Sequence, residues 1–138
     1  MRIMAIDYGD AHTGIAISDP TGFLAGFTTV INAYRPEAVA EHISALAKEH
    51  GVEELVLGHP INMDGTRGPR SEKAQAMKTL LEETTSLPVV LWDERRTTID
   101  AHQILMNSGK NAKKRKKVVD AVAATLILEG YLTYKKTH

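Results

Sequence analysis

Three acidic positions in this chain stand where a carboxylate can do chemistry. Asp7 ends the apolar stretch Arg2-Ile-Met-Ala-Ile-Asp7 and is followed by Tyr8-Gly9, with Gly14 opening the next apolar stretch. A carboxylate at a strand end beside a glycine-permitted turn can hold a hard cation, because Mg²⁺ takes one or two carboxylates together with waters and phosphate oxygens. The competing reading is an Asp that only starts a turn. Asp93-Glu94-Arg95-Arg96 follows the apolar run Pro88-Val-Val-Leu-Trp92, and open sheets bind ligands at such carboxyl ends. Side chains alternate along a strand, so only one of Asp93 and Glu94 turns toward a common site. Glu94 is the preferred one, against a merely solvated strand-to-helix connection. Asp120 has Ala123, Ala124, Ile127 and Tyr131 at one-, two- and three-turn spacing. Its helix face is apolar, and an unpaired buried carboxylate there is costly. Either a salt bridge to Lys116 or Lys117 one turn back compensates it, or a shared metal does. Three carboxylates without a His or Cys cluster describe an oxygen-ligand Mg²⁺ or Mn²⁺ site suited to phosphoryl transfer, with two ions if one carboxylate bridges.

The elements that must position these acids follow from pattern. Arg2–Asp7 reads as a strand, Gly14–Ser18 as its antiparallel partner across a turn at Tyr8–Thr13, and Gly26–Ile31 as a third strand. After Pro36, Val39, Ile43, Leu46 and Ala47 recur at helical spacing until Gly51. Glu54–Gly58 is a short apolar strand, and a right-handed crossover makes it parallel to the first. His59–Pro69 has loop chemistry, Ser71–Thr85 a helical pattern, and Pro88–Asp93 reads as another strand. Thr97-x-x-Asp100 has the form of a capping box opening a helix through Ile104 and Leu105. Val118–Leu132 is helical and apolar nearly all round. The expected fold is α/β: a mixed five-stranded sheet, made of an antiparallel three-strand meander and two parallel strands, flanked by helices.

With 138 residues, 43% hydrophobic and 25% charged, the chain is expected to form one domain spanning 1–138. It has no cysteine, which excludes disulfides, thiolate zinc sites and a cysteine nucleophile and fits a reducing compartment. No apolar run approaches the ~20 residues of a membrane span, and no signal peptide is read at the N-terminus, so the expected address is cytoplasmic, with no membrane partner. Net charge is zero by cancellation. Residues 1–109 carry 9 Lys/Arg against 15 Asp/Glu, while residues 110–138 carry 8 against 2. Lys110, Lys113, Lys114, Arg115, Lys116 and Lys117 concentrate that excess, which points to a polyanion partner. The competing reading is a solvated loop before the last helix, although cations at a helix N-terminus oppose its dipole. Arg67, Arg70 and Arg95 are further candidates for phosphate contact, since a guanidinium fork matches phosphate geometry. With 2 Phe, 4 Tyr and 1 Trp there is no aromatic ladder for stacking single strands, so recognition by backbone and shape is expected. His12 and His59 are read as lone surface histidines without a catalytic role.

Four stretches in register carry a resemblance: Asp7-Tyr-Gly with Gly14-Ile-Ala-Ile-Ser-Asp19; Leu57-Gly-His-Pro-Ile-Asn-Met-Asp-Gly65; Trp92-Asp-Glu-Arg95 with Thr97-Thr98; and Lys116-Lys-Val-Val-Asp-Ala-Val-Ala-Ala124 with Ile127-Leu128. Together they resemble the YqgF-type family of pre-16S rRNA nucleases, also described as Holliday-junction-resolvase-like. The resemblance implies a ribonuclease-H-like fold and a divalent-metal nuclease acting at the 5′ end of pre-16S rRNA in the cytoplasm, with ribosomal precursor particles as partners. Carried over by position, its acidic triad falls on Asp7, Glu94 and Asp120. The chain departs from the family pattern at Ala11-His12-Thr13, where Lys-Arg-Ile is usual, and at His59, where Leu is usual. The first departure weakens positive charge near the substrate.

Three rivals remain. A Holliday junction resolvase cuts two strands symmetrically and needs a homodimer, whereas rRNA trimming is compatible with a monomer. A sugar-kinase-like phosphotransfer module would share the first hairpin but needs a second lobe to enclose ATP. A non-catalytic nucleic-acid-binding module would keep the cations and make the acids structural.

Overall fold

A computed structural model describes residues 1–21, 25–60, 68–93 and 112–137, apart from the side chains of 112–120 and 137. The strands are β1 (Arg2–Asp7), β2 (His12–Ser18), β3 (Ala25–Asn32), β4 (Val52–His59) and β5 (Val89–Asp93), and the described helices are α1 (Pro36–His50), α2 (Pro69–Thr85) and α3 (Ala112–Thr137). One sheet contains all five strands in the order β3-β2-β1-β4-β5. β1 pairs antiparallel with β2 and β2 with β3, while β1–β4 and β4–β5 are parallel. This is the expected meander plus two parallel strands.

Local chemistry explains the helix limits. α1 starts with Pro36, whose fixed φ suits a first helical turn and whose missing N–H has no partner to lose there. It stops at Gly51, which adopts φ 67° and donates its N–H to the Ala47 carbonyl. α2 also starts on a proline, Pro69, but its left-handed cap at φ 60° is Ser86, a residue with a Cβ to accommodate. The last helix is longer than the apolar pattern predicted. It begins at Ala112 rather than Val118, because Lys and Arg are good helix formers whatever their charge. The basic run from Lys113 to Lys117 therefore lies within the opening turns of α3 and not in a preceding loop. The capping-box helix expected from Thr97 lies outside the described residues.

Alternation along the strands splits the core into two layers. Met4, Ile6, Ile15, Ile17, Leu55 and Leu57 face α1 and α2, where they meet Val39, Ile43, Met77 and Leu81. Ile3, Ala5, Ala16, Val56 and Trp92 face the other way and are covered by Ala124, Ile127, Leu128, Tyr131 and Leu132 of α3. Every one of these side chains is buried. α3 meets the sheet closely at Gly130: a Cβ there would stand 3.2 Å from Trp92 Cζ2. Trp92 also packs edge-on to Tyr131 and Tyr134, both at 5.8 Å between centroids.

Candidate active site

Odd-numbered residues of β1 face α3, as the burial of Ile3 and Ala5 in that layer shows. Asp7 continues this alternation onto the α3 face at the C-terminal end of the strand, where it is half-buried. Its cross-strand partner is Gly14. Because Ile6 pairs with Leu57, the neighbour in register on the other side is Gly58. Facing residues on paired strands have Cβ atoms about 5 Å apart, so two glycines leave no side chain competing with the Asp7 carboxylate on either flank. Gly58 pairs in turn with Trp92 of β5.

α3 lies across the sheet face that carries Ile3 and Ala5. Near its C-terminal end, the Tyr131 hydroxyl donates to Glu54, and Lys135 Nζ lies 3.4 Å from Glu54 Oε1. Glu54 pairs with Ile3, near the start of β1. From Tyr131 back to Asp120 is eleven residues, about 16 Å of helix. From Ile3 to Asp7 is four residues, about 13 Å of strand. Asp120 precedes Ala124 by one turn on the stripe that Ala124, Ile127 and Tyr131 bury against the sheet, and these lengths are compatible with its backbone reaching the end of β1 that carries Asp7. Burial and the Glu54 hydrogen bond push the Tyr131 phenol above the usual tyrosine range.

Asp93 takes the other face. It shares the parity of Val89 and Leu91, which pack toward α1 and α2, and it pairs with His59. Glu94 lies outside the described residues, as do Arg67, Arg95 and Lys110. Lys113, Lys114, Arg115, Lys116 and Lys117 occupy the α3 turns before Asp120. Among the described residues no three His, Cys, Asp or Glu side chains gather as a metal cluster; that set lacks Glu94 and the Asp120 side chain.

Arg70 stands in the first turn of α2 and, with Lys73, Gly9, Gly58 and Pro60, lines a narrow notch at the C-terminal ends of β1 and β4. Gly9 is required in this corner because a Cβ would collide with the His12 carbonyl oxygen. Lys73 bridges to Asp10 at 3.0 Å and holds that exposed carboxyl below its ordinary range by hydrogen bond and charge. Lys73 and Asp10 escaped the sequence reading because 63 positions separate them and no local pattern joins them. His59 also differs from expectation. It is 6% exposed and hydrogen-bonded at 2.6 Å to Ser71, which is fully buried, so it is a core histidine and not a surface one. His12 does lie toward the surface, donating Nδ1–H to Asn32 Oδ1 at 2.6 Å.

Comparison with known proteins agrees with this architecture. A family profile described as "RuvX: Holliday junction resolvase" matches residues 1–134. A protein of Halothermothrix orenii named "Putative pre-16S rRNA nuclease" is 45% identical over 135 residues, covering 98% of this chain and 96% of its own. A protein of the same name from Clostridium botulinum is 45% identical over 132 residues, covering 96% of each. Among solved structures, Thermus thermophilus RuvC bound to a Holliday junction superposes with a TM-score of 0.64 at 14% identity, covering 99% of this chain and 96% of that one, which establishes the shared fold. With a five-stranded mixed sheet of this order and a profile match over nearly its whole length, the chain belongs to the RuvX family and is a nuclease on a ribonuclease-H-like fold.

Proposed function

We propose that the protein hydrolyses phosphodiester bonds at the 5′ end of pre-16S rRNA, in a divalent-metal-dependent reaction carried by Asp7, Glu94 and Asp120. The observation that supports this reading most is the position of Asp7 at the C-terminal end of β1, on the face that α3 covers and flanked in register by Gly14 and Gly58. Asp93 shares the parity of Val89 and Leu91 and is directed toward α1 and α2, which leaves Glu94 as the second acid in this reading.

The donor set fits Mg²⁺ or Mn²⁺: an oxygen ligand with glycines on both flanks leaves room for waters and phosphate oxygens. Asp7, Glu94 and Asp120 would hold one or two such ions, which supply Lewis-acid stabilisation of the charge that develops on the phosphate. β1 and α3 hold the backbones of the first and third acids in fixed elements, so little reorganisation is needed when substrate arrives. Arg70, with Arg67 and Arg95, is suited to grip phosphate oxygens beside the acids. Lys110 and the cations from Lys113 to Lys117 neutralise backbone phosphates, giving salt-dependent affinity with little sequence preference. Pre-16S rRNA within ribosomal precursor particles in the cytoplasm is the substrate in this reading. Among the described residues, no helix is long and apolar enough to cross a membrane.

The family description favours a second reading, cleavage of a four-way DNA junction by a homodimer. Incubating the purified protein with a 5′-extended pre-16S fragment and with a four-way junction, in Mn²⁺, Mg²⁺ or EDTA, separates the two. Metal-dependent cutting of the RNA by a monomer supports rRNA maturation. Junction cutting by a dimer supports the resolvase, and binding without cutting of either refutes both in favour of a binding module.

A further inference from the structure

A cleft of about 480 Å³ opens between α1 and α2 on the face of the sheet opposite Asp7. That volume lies within the range of small-ligand sites, about 300–1,000 Å³. Its walls include Tyr8, Tyr34, Met77 and Leu80, Glu37 stands at its rim, and the Asp10–Lys73 pair closes one side. Tyr8 directly follows Asp7 and packs against the α1/α2 layer of the core. Tyr34 is 80% exposed, the most exposed large hydrophobic residue among those described.

We propose that this cleft takes the base of an unpaired nucleotide next to the scissile phosphate, and that it prefers guanine. Tyr8 follows Asp7 directly where the chain leaves β1, on the α1/α2 side, so a nucleic-acid strand wrapping this end of the sheet can set a phosphate at Asp7 and an adjacent base in the cleft beside Tyr8. Tyrosine faces stack on any base, and Met77 and Leu80 offer an apolar floor. The charge at the rim selects among bases. Asp10 is engaged by Lys73, which leaves Glu37 to accept hydrogen bonds, and guanine alone offers a carboxylate paired donors from N1–H and its 2-amino group. Two tyrosines distant in sequence thus provide a single stacking site, even though the composition holds too few aromatics for a ladder. The proposal rests on the nuclease reading of the Asp7 site, but its test does not require cleavage.

The test is NMR titration of the full chain in EDTA with GMP, AMP, CMP and UMP, and with a five-nucleotide single-stranded RNA containing one guanine. GMP and the RNA are expected to shift the signals of Tyr8, Met77 and Leu80. Tyr34→Ala, at an exposed position, should weaken GMP binding about tenfold, and Glu37→Gln should level GMP with AMP. Asp7→Asn should bind GMP as the wild type does, so a failed nuclease assay leaves this result readable. Shifts scattered over the surface, or none at millimolar GMP, overturn the proposal. Shifts with GMP but none with the RNA overturn it too, because the cleft would then serve a free nucleotide.

Discussion

In the proposed site, the seating of α3 on Trp92 sets the position of the acids, because α3 carries Asp120 and β5 ends one residue before Glu94. Gly130 permits that seating, and replacing it with Val tests the dependence. A Cβ at this position already stands 3.2 Å from Trp92 Cζ2 and 3.5 Å from Cε2 and Nε1. The γ-methyls of Val reach further, so the ring or the helix must move. Gly→Val in a helix interior returns about 0.4 kcal/mol of propensity, whereas overpacking a close contact costs about 1–3 kcal/mol. The net expectation is a destabilisation of about 0.6–2.6 kcal/mol. With a urea slope of about 2 kcal/mol per molar, the unfolding midpoint falls by about 0.3–1.3 M. Lifting α3 by about 1 Å at Gly130 also misplaces Asp120, which lowers cleavage about tenfold to a hundredfold at a denaturant-free temperature where the variant is folded. Gly130→Ala is the control: its Cβ needs only a few tenths of an ångström and gains about 1 kcal/mol of helix propensity, so stability and activity stay near wild type. A Gly130→Val variant as stable and active as the wild type would refute the argument that this contact sets the position of α3.

Three further expectations follow from particular residues. Ser86→Gly relieves a left-handed backbone at φ 60° and should stabilise the protein by about 1 kcal/mol in thermal unfolding; a loss of stability would show that the Ser86 side chain contributes more than its backbone costs. The Tyr131 phenol is raised in the folded state by burial and its bond to Glu54, so the unfolded chain releases this proton first. Its stabilising contribution is complete below about pH 10, the unfolded value, and falls above it by at most about 1.4 kcal/mol per pH unit. Tyr131→Phe should flatten the alkaline decline in Tm, and an unchanged decline would assign it to other groups. Neutralising Lys113 to Lys117 should weaken nucleic-acid binding and reduce its salt slope, with a smaller effect on turnover at saturating substrate; an unchanged slope would remove the start of α3 from the docking surface.

Much of the fold could be read from local signals that tertiary context reinforced. Arg2–Asp7 is a strand with those same limits, and Pro36 and Gly51 bracket α1 because each suits its end of a helix. The parallel placement of β4 followed from the single helix before it. The expectation fell short where charge masked propensity: the helix was expected only from Val118, yet the cations from Lys113 to Lys117 lie in its opening turns. His59 was misread because its hydrogen-bond partner, Ser71, is brought beside it only by the packing of α2 on β4. The Tyr8–Tyr34 cleft had no sequence signature at all, since its walls come from a strand end, a loop and two helices. For the acids, the apolar stripe after Asp120 was legible from spacing and lies against the sheet as that spacing required. The pairing of Asp7 with Gly14, which frees one flank of the carboxylate, depends on strand register.

The central claim is that the Asp7 carboxylate holds the cation on which phosphodiester cleavage depends. Single-turnover cleavage of a 5′-extended pre-16S fragment by Asp7→Asn, alongside thermal unfolding of the same preparation, tests it most directly, with Glu94→Gln and Asp120→Asn in parallel. Asn keeps the shape and removes the charge, so the account predicts loss of metal-dependent cutting with Tm essentially unchanged. Cleavage by Asp7→Asn at the wild-type rate, with the same metal dependence, would contradict it.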